Sequence, residues 1–163
     1  MLKVININDS KLKMVSEPIT DFDENLRTLV REMFETMYAT NGIGLAAVQV
    51  GVLKRLFIID IPEKKQNYIM INPVITAYSE EKTCSEEGCL SLPGVLREVN
   101  RSKNISVDFY NIDGKKETLK ATGLLSICIQ HEFDHLNGIM FIDRLAPEEM
   151  INAISEFREK SKK

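Results

Sequence analysis

The chain of 163 residues contains two histidines, His131 and His135, spaced four residues apart with Glu132 directly after the first. An α-helix turns once in about 3.6 residues, so in a helix both imidazoles lie on one face, one above the other. Two imidazoles so placed can ligate one divalent ion at about 2.0–2.1 Å, and Glu132 stands where it can handle a proton of a neighbouring water. Burying two imidazoles and a carboxylate without a cation is costly, which disfavours a purely structural reading. The H-E-x-x-H pattern therefore points to metal-assisted hydrolysis and is silent about the substrate.

The third ligand decides what kind of hydrolase this is. A metzincin pattern needs a glycine at 138 and a histidine at 141; Gly138 is present, but position 141 is Phe141. A thermolysin-like site takes a downstream glutamate. Glu156 is the candidate, yet it sits among Glu148, Glu149 and Glu159 on a short amphipathic stretch that reads as surface. Cys128 shares the helical face of the histidines, but it is about 10 Å from His135 along the axis. That is too far for two bonds of about 2.0–2.3 Å to one ion, so Cys128 reads as a buried small hydrophobe near the site. Cys84 and Cys89 remain. The glycine in Glu87-Gly88-Cys89-Leu90-Ser91 permits a tight turn and favours Cys89 without excluding Cys84.

Three predicted helices frame these residues. Leu26, Leu29, Val30, Met33, Phe34, Met37 and Tyr38 recur at three- and four-residue spacing, with Asp21 or Asp23 as cap and Asn41-Gly42 as stop. The histidine helix runs from Thr122-Gly123 to about Leu136 and is nearly apolar all round, so it should pass through the core. A last helix over about 147–160 starts at Pro147 and carries Met150, Ile151, Ile154 and Phe157 on one face. Between the first two helices, residues 55–61 and 68–72 read as strands bounded by Pro62 and Pro73. Residues 104–110 and 115–121 flank an Asp113-Gly114 hairpin turn. This order predicts an α+β fold, a single domain over 1–163 with mostly antiparallel β-sheets packed around the central H-E-x-x-H helix and a helix near each end.

Composition bounds the rest. A net charge of −3 argues against a nucleic-acid binder driven by bulk positive charge, so no direct specific DNA binding is expected. Three cysteines in 163 residues do not make a disulfide scaffold. Apolar runs such as 56–59 fall far short of the roughly 18 residues a membrane span needs, and residues 1–9 lack the features of a signal peptide. A cytoplasmic protein without membrane contact is expected.

Three blocks together resemble the peptide deformylases, metal-dependent enzymes of bacterial and organellar translation. They are Gly42-Ile43-Gly44-Leu45-Ala46-Ala47-Val48-Gln49, Glu87-Gly88-Cys89-Leu90-Ser91, and Gln130-His131-Glu132-Phe133-Asp134-His135-Leu136-Asn137-Gly138. They stand in family order, and the similarity runs from near the N-terminus to about Leu145. The resemblance implies Cys89, His131 and His135 as ligands of one divalent ion, typically ferrous iron, with zinc, nickel or cobalt able to take its place. It implies removal of the formyl group from the N-terminal methionine of nascent polypeptides. Glu132 would shuttle the proton, while the Gln49 amide and the Leu90 backbone N–H would stabilise the oxyanion. Ile43, Gly44, Gly88, Leu124, Ile127 and Cys128 match substrate-binding positions, Gly42 and Gly44 letting peptide backbone come close.

Ser85 departs from a position that is often apolar in relatives and implies a more polar or open rim. Residues 8–12 match the usual proline-containing turn only loosely. Some members dock at the ribosome through a basic C-terminal helix, a role that Arg158, Lys160, Lys162 and Lys163 would serve here. Two other readings share part of this pattern. A cytosolic H-E-x-x-H metalloendopeptidase needs His131, Glu132 and His135 but not the Gln49 and Cys89 blocks. A catalytically silent peptide-binding relative needs neither Glu132 nor Gln49.

Overall fold

The computed structural model describes residues 1–162. Helix α1 spans Glu24–Ala39, capped by the Asp23 carboxylate, which accepts the Leu26 N–H at 3.0 Å. Its stripe of Leu26, Val30, Met33 and Met37 is buried against Leu45, Leu56 and Ile58. Tyr38 corrects the predicted stripe: it is half exposed, and its hydroxyl donates to Asp60 instead of packing.

The strands are β1 Gly44–Ala46, β2 Leu56–Ile61, β3 Gln66–Tyr78, β4 Lys82–Cys89, β5 Leu92–Ser102, β6 Asn104–Tyr110 and β7 Lys116–Thr122. Five of them form an antiparallel sheet in the order β1-β2-β3-β6-β7, and β4 and β5 pair separately. Strand β3 runs through Pro73 instead of stopping there, contrary to the sequence expectation. The register shifts between Ile71 and Val74, and Asn72 takes φ 50°. A bulge is where a residue without an N–H can sit in a strand.

Helix α2, Gly123–Leu136, packs against strands of both sheets. Ile129 and Leu136 join Phe57, Ile59, Val107 and Phe141 in the larger core cluster, as expected for a helix apolar on nearly every side. Two residues past its end stands Gly138, with φ 74°, where an added Cβ would lie 2.4 Å from the Lys13 carbonyl oxygen. Only glycine fits that approach. Helix α3, Pro147–Ser161, lays Ala153 and Phe157 on β5. Ile151, placed on that face by periodicity, is 59% exposed, so the buried stripe is narrower than predicted. Lys163 lies outside the described residues. No helix among them is long and apolar enough to cross a membrane.

Candidate active site

Helix α2 carries His131 and His135 on its buried side, and the end of β4 brings Cys89 to them. The ligating atoms of these three residues all lie within 4.8 Å of one another, and Cys89 Sγ is 3.3 Å from His135 Nε2. Bonds of about 2.0–2.3 Å in a tetrahedral shell require such spacing. Cys84 is exposed and near Glu98, and Glu156 is engaged with Arg97 and Lys160 on α3, so neither candidate from the sequence joins the cluster.

Electrostatics fit the same group. His131 Nδ1 lies 2.8 Å from Glu87 Oε1, an arrangement that leaves Nε2 for an ion and fixes the ring. Burial opposes charge on His131, but Glu132, Cys89 and Glu87 around it outweigh burial and lift its pKa well above the usual value. Surroundings that anionic suit a divalent cation. His135 is pushed well below its usual value by burial, then by His131 and Arg101; it stays neutral, the form that ligates metal. Burial, with Glu87 and Asp134 adding, raises Glu132 to about 7 against the pull of His131 and Arg101. Burial drives the Cys128 thiol up to about 12, so it remains a protonated wall residue.

The residues around this cluster were less legible in the sequence. Gln49 is buried in a 3-10 turn, Ala47–Val50. Its Oε1 accepts the Ala46 N–H, and its Nε2 donates to Ser91 Oγ at 3.1 Å while lying 3.4 Å from Cys89 Sγ. The Leu90 N–H has no acceptor among the described residues. Ile43, Gly44, Ser85, Gly88, Leu124, Ile127 and Cys128 all line one cavity of about 680 Å³, with Gln49, Cys89, Leu90, His131 and Glu132 in the same wall.

Gly44 has a use beyond the expected peptide approach. A Cβ there would lie 2.5 Å from Glu132 Oε2, so the missing side chain makes room for the carboxylate. Gly44→Ala is expected to keep the metal and to lower turnover about 100-fold by displacing Glu132. Metal content and initial rates measured on one preparation check this; an unchanged rate would contradict it.

Arg101 had no sequence signature. Its guanidinium is buried, with Nε and Nη2 on Glu87 at 2.8 and 3.0 Å and Nη1 on Asp134 at 2.7 Å. Burial pushes the Glu87 carboxyl up, but the hydrogen bonds and charges of His131 and Arg101 outweigh it and hold it below its ordinary value. Arg101→Met would leave two buried carboxylates short of a cation. A loss of about 3–5 kcal/mol in urea denaturation is expected, with weakened metal binding through Glu87 and His131.

Comparison with known proteins gives the site its context. The family model described as polypeptide deformylase matches residues 1–150. The peptide deformylase of Rhizobium meliloti is 43% identical over 162 residues, covering 98% of this chain and 93% of that protein. That of Neisseria gonorrhoeae is 46% identical over 147 residues, covering 90% and 87%. The crystal structure of the Ehrlichia chaffeensis peptide deformylase in complex with actinonin superposes with a TM-score of 0.95 at 39% identity, covering 100% of this chain and 99% of that one. With a family match over nearly the whole chain and a Cys-His-His cluster beside a buried glutamate, the chain belongs to the polypeptide deformylase family.

Proposed function

We infer that this chain hydrolyses the N-formyl group of N-formylmethionyl nascent peptides, releasing formate and a free methionyl amine. The observation that carries the reading is the clustering of Cys89, His131 and His135, with Cys89 and His131 meeting Glu132 and Gln49 at the wall of one apolar-lined cavity. In this reading Cys89, His131 and His135 hold one divalent ion, with ferrous iron as the ion in the cell and zinc, nickel or cobalt as substitutes. When bound, the ion supplies Lewis acidity and lowers the pKa of water toward about 7.

The other roles belong to the chain. Glu132 accepts the proton of the attacking water and passes it to the leaving nitrogen, so one carboxylate serves both steps. A carboxylate with pKa near 7 suits a proton that must be both taken and returned. The Gln49 Nε2 amide and the Leu90 N–H donate to the oxyanion that forms on the formyl group. The methionine side chain occupies the space between Ile43, Leu124, Ile127 and Cys128. Strand β1 is an edge of its sheet, and it offers main-chain bonds that are indifferent to the side chains beyond the methionine. Gly44 and Gly88 flank that path, and the hydroxyl of Ser85 makes the rim more polar.

Cytoplasmic action follows from this substrate and from a thiolate site that oxidation would damage. Ribosome association through α3 would rest on Arg158, since Lys160 pairs with Glu156 and Lys162 with Glu159, and Arg158 has no ion pair among the described residues. The test is a substrate panel on anaerobically loaded protein: a formyl-Met peptide, its acetyl counterpart and an internally cleavable peptide. Loss of formyl groups alone supports the reading. Cleavage of the internal peptide with the formyl group left intact would replace it with the endopeptidase reading.

A further inference from the structure

A second cavity, of about 290 Å³, opens on the side of α2 where Asp134 stands. Its lining includes Tyr78, Lys82, Asn100, Arg101, Asp134 and Arg144. Three of these are cations, and Asp134 is the only carboxylate among the lining residues. Both Asp134 oxygens are already taken: Oδ1 by Arg144 Nη2 at 2.7 Å, and Oδ2 by Arg101 Nη1 at 2.7 Å and Arg144 Nε at 3.1 Å. Arg101 is further neutralised from behind by Glu87.

Lys82 is different. Its Nζ donates to Ser102 Oγ at 3.0 Å and meets no carboxylate among the described residues. The Tyr78 hydroxyl, the Asn100 amide and Arg144 Nη1 likewise have no hydrogen-bond partner among the described residues. A lysine charge and three free donor groups thus line a concave, polar space whose one carboxylate is spent. Cationic and neutral donors without an acceptor select an oxyanion.

We propose that this cavity is a binding site for a small phosphate-class oxyanion, held by Lys82 and Arg144 with Tyr78 and Asn100 completing its hydrogen bonds. The volume admits an inorganic phosphate or a single phosphoryl group with water, and it is too small for a peptide. Lys82, Tyr78 and Asn100 belong to none of the machinery assigned above. The site therefore stands or falls independently of the deformylase reading.

The test is calorimetric titration of the metal-loaded protein with inorganic phosphate, on the wild type, Lys82→Ala, Lys82→Arg and Tyr78→Phe. Saturable binding is expected in the wild type, about tenfold or more weaker in Lys82→Ala, where a charge-assisted bond is removed. Lys82→Arg should retain it, and Tyr78→Phe should weaken it by a smaller factor. Formate release without phosphate should be the same in all four. No saturable binding in the wild type would overturn the proposal. So would equal affinity in Lys82→Ala, which would place the anion at the metal centre.

Discussion

Glu132→Ala is expected to leave the ion bound and to lower the rate of formate release by about 10²–10⁴-fold, the range for removing a positioned general acid–base group. The carboxylate is buried, its Oε2 is 4.0 Å from His131 Nε2, and its Oε1 has no hydrogen-bond partner. It is thus close to the ligand cluster without being one of the three grouped donors. No neighbour can take over its role. Asp134 is committed to Arg101 and Arg144, Glu87 to Arg101 and His131, and Cys128 is held protonated. Glu132→Gln keeps the shape and should fail almost as badly, which separates loss of the proton from loss of packing. Metal content by emission spectroscopy and formate by coupled assay report the two quantities. A Glu132→Ala protein within tenfold of wild type would refute the proton-shuttle role.

The second large effect concerns the ion itself. Cys89→Ala removes one of three grouped donors and is expected to weaken metal binding by more than about 100-fold, since losing even an outer-shell partner costs about 10–100-fold. Cys84→Ala should bind as the wild type does, because that thiol is exposed and away from the cluster. Competition against a chelator measures both. The reverse pattern, with Cys84→Ala losing the ion, would overturn the assignment of Cys89.

Where the chemistry lies on the helical period, the sequence was legible. Helix α2 is readable because its His131/His135 spacing follows one turn length and an apolar run leads into it, and the observed Gly123–Leu136 matches the expected span. The β4–β5 pair is not legible in the sequence, for a physical reason. Its inward-facing residues include Glu87 and Arg101, so the buried side of the ribbon is partly charged, and Pro93 and Gly94, residues that usually mark a turn, stand at the start of β5. Alternation of apolar and polar residues cannot reveal a strand whose hidden face carries an ion pair. Tyr38 and Ile151 erred in the opposite direction: each fits the period of its helix, but at the margin of the stripe.

At the site the division is similar. His131, Glu132 and His135 follow from spacing, whereas the choice between Cys84 and Cys89 needed the turn at the end of β4 to be folded. Gln49 has no local signature, since its role depends on a 3-10 turn that hides an amide next to Cys89. Gln49, Leu90 and the cavity residues came from the family resemblance, not from the residues themselves. Arg101 carries no signature in the sequence, because its importance lies in two carboxylates, one on another strand and one on α2.

The most direct test of the central claim is to load the protein anaerobically with ferrous iron and follow a short formyl-Met peptide by two readouts, formate produced and new amino termini. One formate per new methionyl terminus, with no internal peptide bond cleaved, is the result expected. New termini within the peptide, or an intact formyl group in protein that carries a full complement of metal, would contradict the account.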